Sequence, residues 1–498
     1  MSSLTRREVL AALAAAGAAP LWLDLASGCG GGRPRLAPGP AAPAGRAVAD
    51  LRQQLRQVVT DLERAFPVAS GLAQIGSMRR VRIDEAARAV DEERASRLVL
   101  TASDGTSWFE QATFDLSPQG IDEAAAALAA RARGVGGAPG RGARRASDAP
   151  AARMRLDPRR TDLARWIERV AALHERTRGL GGSRIVYRAA SLEVEDGDRL
   201  FVGEGRDQLH RVVRSHARVL FLAWDGETLL SEEASQAGAL GLEATEIAAD
   251  DLEEAVSGAL SLLTGREVPS GERDLVLDPT VTAMVVRHGI AAGLLADEWI
   301  AGRAHAASRA GASVAPAGIT LRDAPTAAAF GARAFDDEGW PAAPVALIDR
   351  GVLRGPLTCR ATAAALGLPR TGHARRQEGT GPAAPRPSHL ELAPGKAAAA
   401  ELVGSVSDGF LVESALSGRG DPKSWRFAVQ ARRAREIARG RLTGRSYGPV
   451  VVGGAVAALL GAARAVGDRP RVLAWRDPSP VSVSAPHLVT RAWLGRGS

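Results

Sequence analysis

Cysteine is nearly absent from this sequence, since the 498 residues contain only Cys29 and Cys359. That excludes a disulfide framework and a site of clustered thiolates, so the fold has to rest on its hydrophobic core. Lysine is equally scarce, Lys396 and Lys423 standing alone, so the net charge of +8 is carried by arginine. The arginines are scattered, with only short runs such as Arg144-Arg145 and Arg432-Arg433. This is not the dense basic footprint that nucleic acid selects, and no nucleic-acid partner is expected. The eight histidines never fall three or four residues apart, so no α-helical face offers a metal two imidazoles. A Gly-x-Ser-x-Gly elbow is missing too, which removes the usual signal for serine chemistry. What remains is an ordinary globular composition, 45% hydrophobic and 24% charged, long enough for two to four domains.

The N-terminus reads as an address rather than as part of the fold. Arg6-Arg7 within Thr5-Arg6-Arg7-Glu8-Val9-Leu10, followed by a weakly apolar run broken by Asp24, resembles a twin-arginine export signal. The run is too short and too alanine-rich for the ~20 apolar residues of a membrane span. Leu25-Ala26-Ser27-Gly28-Cys29 resembles a lipobox, which would make Cys29 a lipidation site and a lipid anchor the only membrane contact. Cleavage elsewhere, giving a free periplasmic protein, stays open. The signal (1–29) is followed by a Gly/Pro/Ala linker (30–47), suited to holding a domain away from a surface.

Beyond the linker the chain reads as α+β, with mixed N-terminal (48–133) and central (155–268) regions and a β-rich C-terminal domain (269–498). A Gly- and Arg-rich stretch, 134–154, separates the first two. Leu51, Leu55, Val58, Val59 and Leu62 share one face of a helix over 48–64. Turns at Asp104-Gly105, Asp196-Gly197 and Asp225-Gly226 divide short alternating strands. Among these are 183–189, 191–195, 199–204, 210–215 and 218–224. Helices are expected over 119–131, 163–175 and 250–263.

The stretch on which the rest depends is 274–297. Leu275, Val276 and Leu277 suit a buried strand, Asp278 is a good N-cap, and Pro279 fits a first helical turn, where its missing donor costs nothing. The helix is expected to continue to about Trp299 with a kink near Gly293. A strand, an Asp-Pro turn and such a helix resemble the signature segment of the TldD/PmbA family of metallopeptidases. Arg287, His288 and Ala292 stand where its HExxxH motif has His, Glu and His, and Asp297 stands at the closing Asp.

Later segments carry the same resemblance in the same order. They are Phe335-Asp336-Asp337-Glu338-Gly339-Trp340-Pro341, then Leu347-Ile348-Asp349-Arg350-Gly351-Val352-Leu353, then Thr371-Gly372-His373-Ala374-Arg375-Arg376. Pro385-Arg386-Pro387-Ser388-His389 follows, with His389 where the family has Asn. The acids Asp336, Asp337 and Glu338 read either as a cation site or as acids that cap a turn and pair with arginines. Arg375, Arg376 and His389 are candidate peptide contacts.

The resemblance implies a zinc-like metal held by two motif histidines and a late cysteine, with the motif Glu as general base. None of these groups is present. Guanidinium does not give up its proton to donate a lone pair, Ala292 has no donor, and the late segment, 472–480, has no cysteine. The expectation is therefore a noncatalytic, TldE-like subunit, with no catalytic residue or metal ligand of its own. It would act beside a TldD-like partner, in a hetero- or homo-oligomer that takes unstructured or modified peptides. An active peptidase holding zinc through non-standard ligands, and a peptide-binding envelope lipoprotein, are the alternatives.

Overall fold

The computed structural model describes residues 48–132, 145–149, 153–227, 229–263, 266–325, 329–476 and 479–497. The twin-arginine stretch, Cys29, the 30–47 linker and most of 134–154 lie outside the described residues. The fold is α+β.

The N-terminal and central regions contribute strands to one sheet. Its order is Trp108–Thr113, Arg88–Ser103, Val68–Asp84, Ile185–Gly203 and Arg206–Trp224, with Leu229–Gly238 paired to the last of these. Arg145–Ala146 runs parallel to the start of Arg206–Trp224. Several strands are far longer than expected. Asp196-Gly197 is not a turn but lies mid-strand in the 19-residue Ile185–Gly203, and Arg206–Trp224 likewise runs unbroken through 216–217. Gly197 is there for close approach, because a Cβ would lie 2.6 Å from the Ile75 carbonyl oxygen. The Asp104-Gly105 turn is present, with Asp104 Oδ1 accepting from the amides of Thr106 and Ser107.

Alternation splits this sheet into two unlike faces. One is apolar and carries helices. Val48–Ala65 and Pro118–Arg131 bury Leu51, Leu55 and Leu128 against Leu98, Leu100 and Val202. Leu163–Arg176 and Ala249–Leu262 cover the other half, with Trp166 and Val170 against Leu192, Val219 and Phe221. The opposite face carries charged rows beside a small apolar patch of Leu72 and Phe201 that packs on Phe335. One row across four strands reads Arg97, Gln74, Arg199, His210, and nearby rows carry Glu195 with Arg214 and Glu193 with His216.

The C-terminal unit lies against that charged face. Its seven-stranded sheet is built on Gly271–Leu277, which pairs parallel with Asp408–Asp421 and antiparallel with Leu488–Arg496. A six-stranded sheet includes Leu321–Asp323, His389–Leu392, Val481–Ala485 and Arg471–Trp475. The helical stretch after Asp278 belongs to the core cluster shared by the two sheets, through Val281, Val285, Val286, Ile290 and Leu294.

Candidate functional site

Asp278 starts the site as its composition suggests. Its Oδ1 accepts from Val281 N at 2.7 Å and its Oδ2 from Ser414 N at 2.9 Å, which caps the helix and ties it to the neighbouring strand. The expected continuous helix to Trp299 is not formed. Pro279–Met284 is α-helical, Val285–Ile290 is a π-turn, Ala291–Leu294 tightens to 3-10 geometry, and Leu295 is extended before the short helix Ala296–Ile300. The stretch is apolar on nearly every side, so its sequence had no 3.6-residue period to mark these changes. Indole donors take up carbonyls at the irregular turns. Trp425 Nε1 donates to Ile290 O at 3.4 Å, and Trp299 Nε1 to Gly293 O at 2.8 Å.

The π-turn has a chemical consequence. It closes i to i+5, Ala291 N donating to Val286 O, and so brings residues five apart nearer to one face than an α-helix does. Five is the separation of Arg287 and Ala292, and of the two histidines in HExxxH. The backbone thus brings these two positions onto nearly one face, where Arg287 and Ala292 stand.

Other side chains occupy the place. The Arg287 guanidinium lies over the ring of Trp475, 4.6 Å from its centroid, in cation–π contact. Trp475 ends Arg471–Trp475, so the late segment does reach the motif, carrying an indole instead of a thiolate. His288 packs on Gly418, where a Cβ would lie 2.8 Å from its ring, and the His288 carbonyl oxygen lies 1.7 Å from where a Gly420 Cβ would be. Burial, helped by the Arg287 charge, pushes the His288 imidazole down to about 4, so it is neutral at pH 7. Asp297 Oδ2 accepts from Arg386 Nη1 at 2.8 Å, a pairing the sequence did not suggest.

The other candidate residues lie together elsewhere, in the seam between the N-terminal sheet and the C-terminal unit, and all are buried. Asp336 accepts from the amides of Glu338, Trp340 and Ala374. Asp337 accepts from Arg199 Nη2 at 2.7 Å and from Arg376 N at 2.7 Å. Glu338 accepts from Arg360 N, and burial beside Asp336 raises its carboxyl to about 7. Arg376 clasps Glu110 through both Nη atoms, and Arg375 donates to Ala374 O and Ser388 Oγ. His389 Nδ1 lies 2.9 Å from Ser482 Oγ. These groups make capping and pairing bonds inside the protein.

Residues 270–493 match the family model described as the PmbA/TldA metallopeptidase C-terminal domain. A metalloprotease of Methanothermobacter thermautotrophicus is 31% identical over 225 residues, which is 44% of this chain and 49% of that protein. A metalloprotease TldD homolog of Buchnera aphidicola is 27% identical over 190 residues, covering 38% of this chain and 39% of that one. The chain thus spans no more than about half the length of these curated relatives. Among solved structures, TldE from Thermococcus kodakarensis superposes with a TM-score of 0.72 at 16% identity, over 89% of this chain and all of that one. A protein titled a putative modulator of DNA gyrase, from Bacteroides thetaiotaomicron, gives 0.73 at 18% identity over 90% and 100%. Residues 270–493 thus belong to the PmbA/TldA C-terminal domain family, and the comparisons support TldD/PmbA membership.

A TldD/PmbA-type metal centre does not fit the residues present. At the π-turn the one lone-pair donor among the three motif positions is His288, and Arg287 brings a fixed positive charge to the same turn. Among the described residues no group of three or more His, Cys, Asp and Glu side chains is placed to hold a metal ion. Trp475, Trp425, Gly418 and Gly420, which shape the turn, carry no motif of their own in the sequence. Only the glycine pair, spaced by two in an otherwise ordinary strand, offered a signal.

Proposed function

We propose that this TldD/PmbA-family protein is an exported, noncatalytic, TldE-like subunit that completes a peptidase together with a TldD-like partner carrying the metal. The observation that carries this reading is the π-turn. Its backbone brings the two motif positions together, yet Arg287 on Trp475 stands in place of a ligand set. Peptides, unstructured or modified, would be the substrate class of the assembled pair. The likeness of fold to a TldE structure and the sequence likeness to a TldD homolog support the partner assignment.

Affinity purification of the full chain from its native envelope, with metal analysis of each component, tests this reading. A companion protein with stoichiometric zinc is expected, while the separated chain carries none and cleaves no peptide. Zinc and peptidase activity in the separated chain would refute it. Export is tested separately by changing Arg6→Lys and Arg7→Lys together, which should leave the precursor in the cytoplasm. Unchanged export of that variant removes the twin-arginine assignment.

A further inference from the structure

In the seam between the sheet and the C-terminal unit, several buried guanidinium groups gather around Asp337. Arg97 and Arg199 flank Gln74 in one cross-strand row, with Arg97 Nε donating to Gln74 Oε1 at 2.5 Å. Over this row lies Asp337, whose Oδ1 meets Arg199 at 2.7 Å and Arg333 at 3.9 Å. Asp337 N donates to Ala374 O, which sets Arg375 beside it. Asp337 therefore faces four guanidinium groups, of which Arg375 also feels Asp336 and Asp323, and Arg97 also Glu195.

The hydrogen-bonding capacity of the neighbouring acids is largely taken up elsewhere. Asp336 is saturated by backbone amides, and burial raises its carboxyl above the ordinary range. Asp323 is taken by the amides of Ser388 and His389 and by His373 at 3.1 Å. Glu195 serves Arg214 and Arg476. Arg199, Arg333 and Arg375 are all at least nine-tenths buried, and each keeps an Nε–H donor with no acceptor.

We propose that this seam is an anion site, in which the guanidinium groups of Arg97, Arg199, Arg333 and Arg375 take a small oxyanion beside Asp337. The general reason is that a buried cation without a counter-charge is strongly destabilising, whereas guanidinium forks match carboxylate and phosphate oxygens closely. Burial and the neighbouring guanidiniums already push Arg333 well below its ordinary range, and Arg375 to about 10, the direction a second anion would reverse. The oxyanion chemistry is shared by free inorganic phosphate and by the carboxylate end of a peptide. This site goes beyond the proposed function and does not depend on whether the π-turn is catalytic.

The test is thermal unfolding of the full chain in inorganic phosphate against chloride at constant ionic strength. The midpoint is expected to rise by about 2 °C for each tenfold increase in phosphate above its Kd. Arg333→Met should abolish that response while raising the midpoint in chloride, because it removes a buried guanidinium whose Nε–H has no acceptor. Short peptides ending in a free carboxylate or in an amide separate the two sources. A shift with the free acid alone identifies a chain end, and a shift with phosphate but neither peptide identifies an inorganic anion. If Arg333→Met does not fold, isothermal titration of the wild type decides, and stoichiometric binding of phosphate or of the free-acid peptide is the expected result. A wild-type midpoint that ignores both, no heat of binding, or an equal shift in Arg333→Met overturns the proposal.

Discussion

At the scale of single residues, His288 and Gly420 report how the motif position is now held. The His288 imidazole has its folded-state pKa at about 4, below the ~6.5 of an exposed histidine, so folding favours the neutral ring. Its contribution is complete above pH ~6.5 and is lost as pH falls through about 4. His288→Gln should therefore flatten the acid limb of a stability-versus-pH curve by up to about 3 kcal/mol and leave pH 7.5 to 9 unchanged. Denaturant titrations of both proteins from pH 4 to 9 read this directly, and superimposable curves would reject it. Gly420→Ala is a backbone test, because a Cβ there would lie 1.7 Å from the His288 carbonyl oxygen. It should cost at least about 3 kcal/mol, the upper end of ordinary overpacking. Gly404→Ala, where a Cβ meets nothing within 4 Å, is the near-neutral control.

At the scale of elements, what the sequence revealed depended on whether a residue advertises its local role. Asp278-Pro279 did, since an N-cap carboxylate and a donorless first turn act within a few residues of themselves. The same holds for Ser117, whose Oγ accepts from Gly120 N at 3.1 Å to open Pro118–Arg131, and for the buried face of Val48–Ala65. The π-turn was hidden because Val285, Val286, Ile290 and Ala291 are buried together, and its shape is set by Trp425, more than 130 residues away in sequence. The strand at Asp196-Gly197 misled for a related reason. A glycine chosen for cross-strand approach looks in sequence like one chosen for a turn. Trp425→Phe isolates the tertiary contribution to the π-turn. It keeps the ring but loses the donor to Ile290 O, and should cost about 1 kcal/mol with a local change in amide exchange around 290–294. Unchanged exchange there would mean that the indole bond does not hold the turn.

At the scale of the whole molecule, the scattered arginines that seemed featureless in sequence become the joint between its two halves. Arg476 reaches from the C-terminal unit to both Glu193 and Glu195, meeting Glu195 Oε2 at 2.5 Å. Burial by itself would raise both carboxyls, but Arg476 with Arg80 at Glu193, and Arg214 with Arg476 at Glu195, outweigh it and hold each at about 2. That stability is full above the ordinary pKa of a glutamate and lost as pH falls through about 2. Arg476→Met should let both pKa values climb, cost about 3 kcal/mol at neutral pH, and shift acid unfolding to higher pH. Calorimetry at pH 7 and pH 4 measures both effects, and an unaltered acid midpoint would show that the joint is carried by other pairs.

The charged face of the N-terminal sheet also matters while the protein is being made. Synthesis runs from the N-terminus, so the strands from Val68 to Gly238 and their four helices are complete before most of the C-terminal unit has been made. A sheet waiting for an apolar partner would expose a sticky surface for that interval and invite other nascent chains to bind. This one presents arginines, glutamates and histidines around a small Leu72–Phe201 patch, which limits the apolar surface left open until the second half arrives to cover it.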